Sequence, residues 1–149
     1  MPGMVLPRGP RDQPAADVDY QTLAELRYLI RKFHRRREAA ARRAGIQPQQ
    51  HLLLLQLRGL PPGQPPTIST LAERLQIRHH SAVELVDRLV ERGLVERRHE
   101  GPDRRVVTVV LRPAAETLLE NLAQYSLAEL QTEGPALVKA LRELMEGAG

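Results

Sequence analysis

The chain has no cysteine, no tryptophan, one phenylalanine and three tyrosines among its 149 residues. Without cysteine there is no disulfide, no thiolate metal site and no cysteine redox switch. A reducing cytoplasm is therefore the expected setting. With Phe33, Tyr20, Tyr28 and Tyr125 as the whole aromatic stock, a core must come from Leu, Val, Ile and Ala, which points to packed helices. No apolar run reaches the length of a membrane span, and the N-terminus has no signal-peptide core. There is no nucleophile elbow, no phosphate-cradling glycine loop and no pair of carboxylates in an obvious cleft. The expectation is a protein without enzymatic activity, cofactor or membrane association.

What is present is charge, unevenly spread. The formal net charge is +4 and the sequence pI is near 10.1, which suits an anionic partner. Residues 8–43 hold ten Lys/Arg against five Asp/Glu, residues 73–105 eight against seven with three histidines, and residues 114–149 two against six. The basic material lies early, and the tail is acidic.

Residues 1–17 contain Pro2, Pro7, Pro10 and Pro14 and show no periodicity; they read as a disordered arm in which Arg8 and Arg11 are solvated or touch a polyanion. Residues 18–44 have Leu23, Leu26, Ile30 and Phe33 at helical spacing, a cap at Asp17 or Asp19, and a stop at Gly45. The run Arg35, Arg36, Arg37, Arg42 and Arg43 reads as a solvated helix face, with contact to an anion as the alternative. Pro48 opens a second helix, apolar nearly all round at Leu52 to Leu55 and Leu57, and so expected to be central and buried. LPPGQPP then forces a stiff loop.

The stretch from Ser69 to Leu111 has the densest pattern. Thr67 or Ser69 caps a short helix. A second helix runs from about His79 to Arg92, with Ala82, Leu85, Val86, Leu89 and Val90 as its inner stripe and Gly93 as its end. Two Val-rich strands, 94–98 and 106–111, flank the turn HEGPDRR. Pro113 starts a fifth helix, and Gly134-Pro135 is expected to break it from a last one carrying Leu137, Val138, Leu141, Leu144 and Met145.

Two short helices joined by a tight turn form a helix-turn-helix, which places the N-terminal end of the second in a major groove. That end supplies Arg78, His79, His80, Ser81 and Glu84. These residues offer donors and acceptors to base edges, while the opposite face is apolar. Arg97, Arg98, Arg104 and Arg105 flank the hairpin turn. Such a wing suits phosphates and the minor groove. Asp103 is placed to hold Arg105 extended through a charge-assisted hydrogen bond.

Helix-turn-helix, then RLVERGLVERR, a turn with PDRR, VVTVVL and a proline-started helix resembles the MarR family of bacterial winged-helix regulators, from about residue 20 onward. The most specific part is LVDRLVERGLVERR through DRRVVTVVLRP. The resemblance implies a mainly α fold with a small β-hairpin wing and a homodimer on double-stranded DNA. Residues 46–112 would be the winged helix-turn-helix lobe of a single domain over 18–147, and the helices within 18–45 and 113–147 the dimerisation region. The helix at His79–Arg92 would enter the major groove, and the wing pattern Asp103-Arg104-Arg105 would put arginine into the minor groove. It also implies repression relieved by a small aromatic or anionic ligand between the two regions. Two departures stand out. Arg112-Pro113-Ala114-Ala115 replaces the usual Thr-Pro-x-Gly, and His79-His80 stands where small polar residues or Arg are usual, so the DNA sequence preferred is the chain's own.

His34 and Glu38, spaced i, i+4, form a possible ligand pair for a metal-responsive regulator. However, His79 and His80 point apart and no thiols exist, so no metal site is expected. His34 and His51 are instead assigned to a ligand cavity at the root of the lobe. A winged helix serving only protein contacts leaves the arginine-loaded wing unexplained.

Overall fold

The computed structural model describes Gly3, residues 18–102 and residues 104–147. Its elements are α1 (Tyr20–Arg43), α2 (Pro48–Arg58), α3 (Ile68–Leu75), α4 (His79–Glu91), β1 (Val95–Glu100), β2 (Val106–Leu111) and α5 (Pro113–Glu146). The fold is mainly helical with one two-stranded antiparallel hairpin. The expected arm at 1–17, Gly3 aside, lies outside the described residues. Among the described residues no helix is long and apolar enough to cross a membrane.

Local chemistry sets the boundaries. Asp19 caps α1 by accepting from the Thr22 amide at 2.9 Å and hydroxyl at 2.5 Å, and these two bonds hold its carboxyl below the usual range. After Ala44 the chain turns at Gly45 with φ +83°, a conformation open to glycine at little cost. Pro48 begins α2. Thr67, not Ser69, caps α3, its hydroxyl accepting from the Thr70 amide at 3.3 Å. Gly93 closes α4 with φ +70°.

The core sits in the lobe. Leu53 and Leu54 of α2, Leu71 of α3, Val86 and Leu89 of α4, Val95 of β1 and Val109 of β2 form its centre, with Ala41 and Ile46 at one edge and Ala115 and Leu119 at the other. In β1 and β2 the register pairs Val95 with Leu111 and Arg97 with Val109. The Val109 amide donates to the Pro66 carbonyl at 2.8 Å, so the loop before α3 is tied to the hairpin root. Two expected core positions face outward: Leu55 is 44% and Val90 37% exposed. Each stands about 100–200° round its helix from the buried Leu53 and Leu89.

The expected break at Gly134-Pro135 does not occur, and α5 is one helix of 34 residues. Pro135 removes a single N–H and crowds the Gln131 carbonyl, a cost of about 3 kcal/mol. Contacts on both sides offset it. Glu133 accepts from Arg36 and lies 4.0 Å from Lys32 of α1, and Ala140 is buried a turn later. α1 and α5 pack along each other yet leave Leu23, Leu127, Leu130, Val138, Leu141 and Met145 exposed.

Candidate nucleic-acid interface

α3 and α4 pack together through a three-residue turn in which Gln76 takes a left-handed conformation, φ 55°. Ala82, Val86 and Leu89 of α4 are fully buried. Their spacing turns the other side of the helix outward. Arg78, His79, His80 and Glu84 are exposed there and Ser81 is half-buried. Arg78 caps the helix by backbone alone, and the first turn holds no acidic residue. The free amides and the positive end of the helix dipole therefore face outward beside three basic or polar side chains.

Two of the hairpin arginines are tied to carboxylates. Arg97 on β1 makes an ion pair with Asp87 of α4. Arg98 holds Glu96 at 2.6 Å through Nη2 and 2.7 Å through Nε. Arg104 and Arg105 are exposed near the tip. Arg104 has φ 53°, which costs a side-chain-bearing residue about 1 kcal/mol or more. Its carbonyl lies 3.1 Å from His99 Nδ1, so that nitrogen carries the proton and donates. Asp103, expected to hold Arg105, lies outside the described residues.

Two grooves adjoin α4, and a third continues from them along α1. One of about 270 Å³ is lined by Gln49, Ile77, Ser81, Glu84, Leu85 and Arg88. It shares Gln49, Leu85 and Arg88 with a groove of about 420 Å³ that also takes in Glu38, Arg42, Gln47, Pro48 and Gln50. Glu38 in turn belongs to a groove of about 460 Å³ with Arg27, Ile30, Arg31, His34 and Arg35. The residues that face outward from α4 thus continue into an arginine-rich trough along α1.

His34 lies in that trough and is exposed, whereas His51 is 4% exposed inside α2. The two line no common groove among those described. His51 Nδ1 and Arg37 Nη1 are both buried without a hydrogen-bond partner among the described residues. Burial first, and the Arg37 charge second, push the His51 imidazole below its usual 6.5. Burial also lowers Arg37, with Glu38 opposing.

The arginine run at the end of α1 is not one solvated face. Arg36 binds Glu133, Arg37 is partly buried, and Arg43 lies over the Tyr125 ring at 5.7 Å. Only Arg35 and Arg42 of the five match the expectation of free solvation. Arg92 also escaped the sequence reading: its guanidinium donates to Gln50 Oε1 at 3.1 Å and to the Gly45 carbonyl at 2.7 Å. Nothing local in the sequence marks such long-range partners. Among the described residues no three His, Asp or Glu gather as a metal site.

Residues 44–106 match the model of the MarR family. That segment spans α2, α3, α4 and β1 and ends at the first residue of β2. No curated protein matches the sequence. Solved structures share the fold over most of the chain. A MarR family transcription regulator superposes with a TM-score of 0.70 at 22% identity, covering 87% of this chain and 86% of that one. AbsC, a MarR family transcriptional regulator from Streptomyces coelicolor, gives 0.67 at 17% identity over 89% and 93%. A MepR variant from S. aureus bound to an oligodeoxyribonucleotide gives 0.65 at 17% identity over 89% and 100%. The fold is that of MarR family transcription regulators.

Proposed function

Taking a MarR-type winged helix as the premise, we propose that this chain is a sequence-specific, double-stranded-DNA-binding transcriptional regulator, acting as a homodimer and released from its operator by a small ligand. The observation that carries the reading is α4: a fully apolar inner stripe at Ala82, Val86 and Leu89 opposite an outward end rich in hydrogen-bonding side chains. A helix with those two faces fits a major groove and reads base edges from its N-terminal turns.

In this reading Arg78, His79, His80, Ser81 and Glu84 read bases. Arg104 and Arg105, aided by Asp103, meet the minor groove, while Arg97 and Arg98 lie behind them on the hairpin. Residues 46–112 form the DNA lobe and the helices within 18–45 and 113–147 the dimer region, with two half-sites about one helical turn apart. Leu127, Leu130, Val138, Leu141 and Met145 supply an apolar face on α5 for a second copy. Repression relieved by an aromatic or anionic effector is the mode of action in this reading. The groove between α1, α2 and α4, with Arg42 and Arg88 in its wall, suits such a ligand because Arg88 also belongs to the reading helix. His34 lies on its approach. His51, buried beneath, tunes the site rather than lining it.

The test is binding to random-sequence duplex at two salt concentrations, followed by selection of bound sequences. Affinity should fall steeply with salt, by a log–log slope of about −0.9 per phosphate neutralised. Arg105→Ala should weaken binding to most sequences, whereas changing His80 or Ser81 should alter the sequence selected. Salt-insensitive or absent binding overturns the reading, and equal effects on all sequences from both kinds of variant overturn the division of roles.

A further inference from the structure

We propose that Asp87 and Arg97 act together as a strut that fixes the angle between the reading helix and the wing, so that Arg97 is a positioning residue and not a phosphate ligand. The proposal rests on the DNA-binding reading above and adds Asp87 to it. Alternation along β1 puts Val95 and Arg97 on one face. Val95 is 1% exposed, and so is Val109, the cross-strand partner of Arg97. The stem of Arg97 therefore runs over the rim of the core, and its guanidinium reaches Asp87 on α4. Asp87 stands six residues beyond Ser81 on the same helix, so the pair joins the reading helix directly to the hairpin.

The joint has a mechanical reason. The hairpin has two strands, and His99 and Glu100 of β1 and Val106 of β2 are exposed. Its root is anchored by the buried Val95 and Val109 and by the Val109 amide on the Pro66 carbonyl. A two-stranded ribbon has little stability of its own. The Asp87–Arg97 pair adds a second point of attachment further out, on the side facing α4. A bare carboxylate at position 87 would instead repel phosphates and weaken binding.

That opposition of sign makes the test decisive. Duplex affinity and its salt slope are measured for wild type, Asp87→Asn, Arg97→Gln, the double variant, and the exchange Asp87→Arg with Arg97→Asp. A strut predicts that each single variant loses roughly two- to fivefold in affinity, the range an exposed ion pair sustains. The double variant should lose no more than one single, the salt slope should stay at the wild-type value, and the exchange should recover binding. Tighter or unchanged binding by Asp87→Asn overturns the proposal. So does a slope reduced by about 0.9 in Arg97→Gln, which marks a phosphate ligand. A readout without DNA separates this from the functional reading. The chain has no native cysteine, so spin labels at the exposed Glu91 and Glu100 report the α4-to-wing distance cleanly in protein diluted with unlabelled copies. The distance distribution should broaden in both single variants and narrow again in the exchange. An unchanged distribution overturns the strut, whether or not the protein binds DNA.

Discussion

The DNA lobe and the paired terminal helices solve the problem of burial in opposite ways. In the lobe, five short elements close on Leu53, Leu54, Leu71, Leu89, Val86, Val95 and Val109, each under 2% exposed. In α1 and α5, two long helices share a seam of small or isolated residues such as Leu29, Ala40, Leu122 and Ala140, and large apolar side chains remain outside. Polar bonds, chiefly Arg36 to Glu133 and Arg43 to Tyr125, supplement that seam. The lobe closes its core with a few residues of α1 and α5, among them Ala41, Ala115 and Leu119, whereas those two helices leave an apolar face uncovered. On the proposed reading that division suits a regulator of two half-sites: one protomer shapes the part that touches DNA, and a second copy completes the part that sets spacing.

The largest expected effect breaks the comparison on the lobe side. Leu53→Ala should lower unfolding free energy by about 2–5 kcal/mol, the usual loss for a fully enclosed leucine. Leu141→Ala, 45% exposed in the single chain, should leave the lobe's own transition nearly where it was. Denaturant melts of both variants at low protein concentration check the pair, and a comparable loss in Leu141→Ala would place α5 in the lobe's core. The next effect is on the other side. Leu130→Asp with Val138→Asp should shift sedimentation from dimer to monomer at micromolar concentration while the helical signal persists. A dimer that survives both charges would move the interface elsewhere.

The smallest effect lies at the boundary. His51 is buried on α2 with Arg37 of α1 nearby, and its pKa is lowered in the folded chain. Below pH 6.5, its ordinary value, the unfolded chain takes up a proton that the folded one resists. Stability contributed here is therefore fully present above that pH and is lost as pH falls toward the folded value. His51→Gln should flatten this acid limb, measured as denaturation midpoints between about pH 7.5 and 5. A midpoint that falls equally in wild type and variant would assign the acid sensitivity to other groups.

Local rules read most of this fold from the sequence. Asp19, Pro48, Thr67, Gly45, Gly93 and Pro113 mark helix ends where the structure has them, because capping and turn chemistry act within a few residues. The helix-turn-helix and the hairpin were legible for the same reason, through period and turn composition. Pro135 misled because a proline's penalty is local while its compensation, Glu133 on Arg36 of α1, comes from 97 residues away. The partners of the hairpin arginines were illegible too. Nothing in the letters brings Asp87 of α4 to Arg97 or Glu96 to Arg98.

Arg92 ties three helices together. One guanidinium at the C-terminal end of α4 grips both the carbonyl that ends α1 and a side chain in the first turn of α2. It pins the ends of three helices at one point. On the DNA-binding reading proposed above, a change in the tilt of α1 would be felt at α4 through this one side chain, and a ligand lodged against α1 would need no separate path to the DNA.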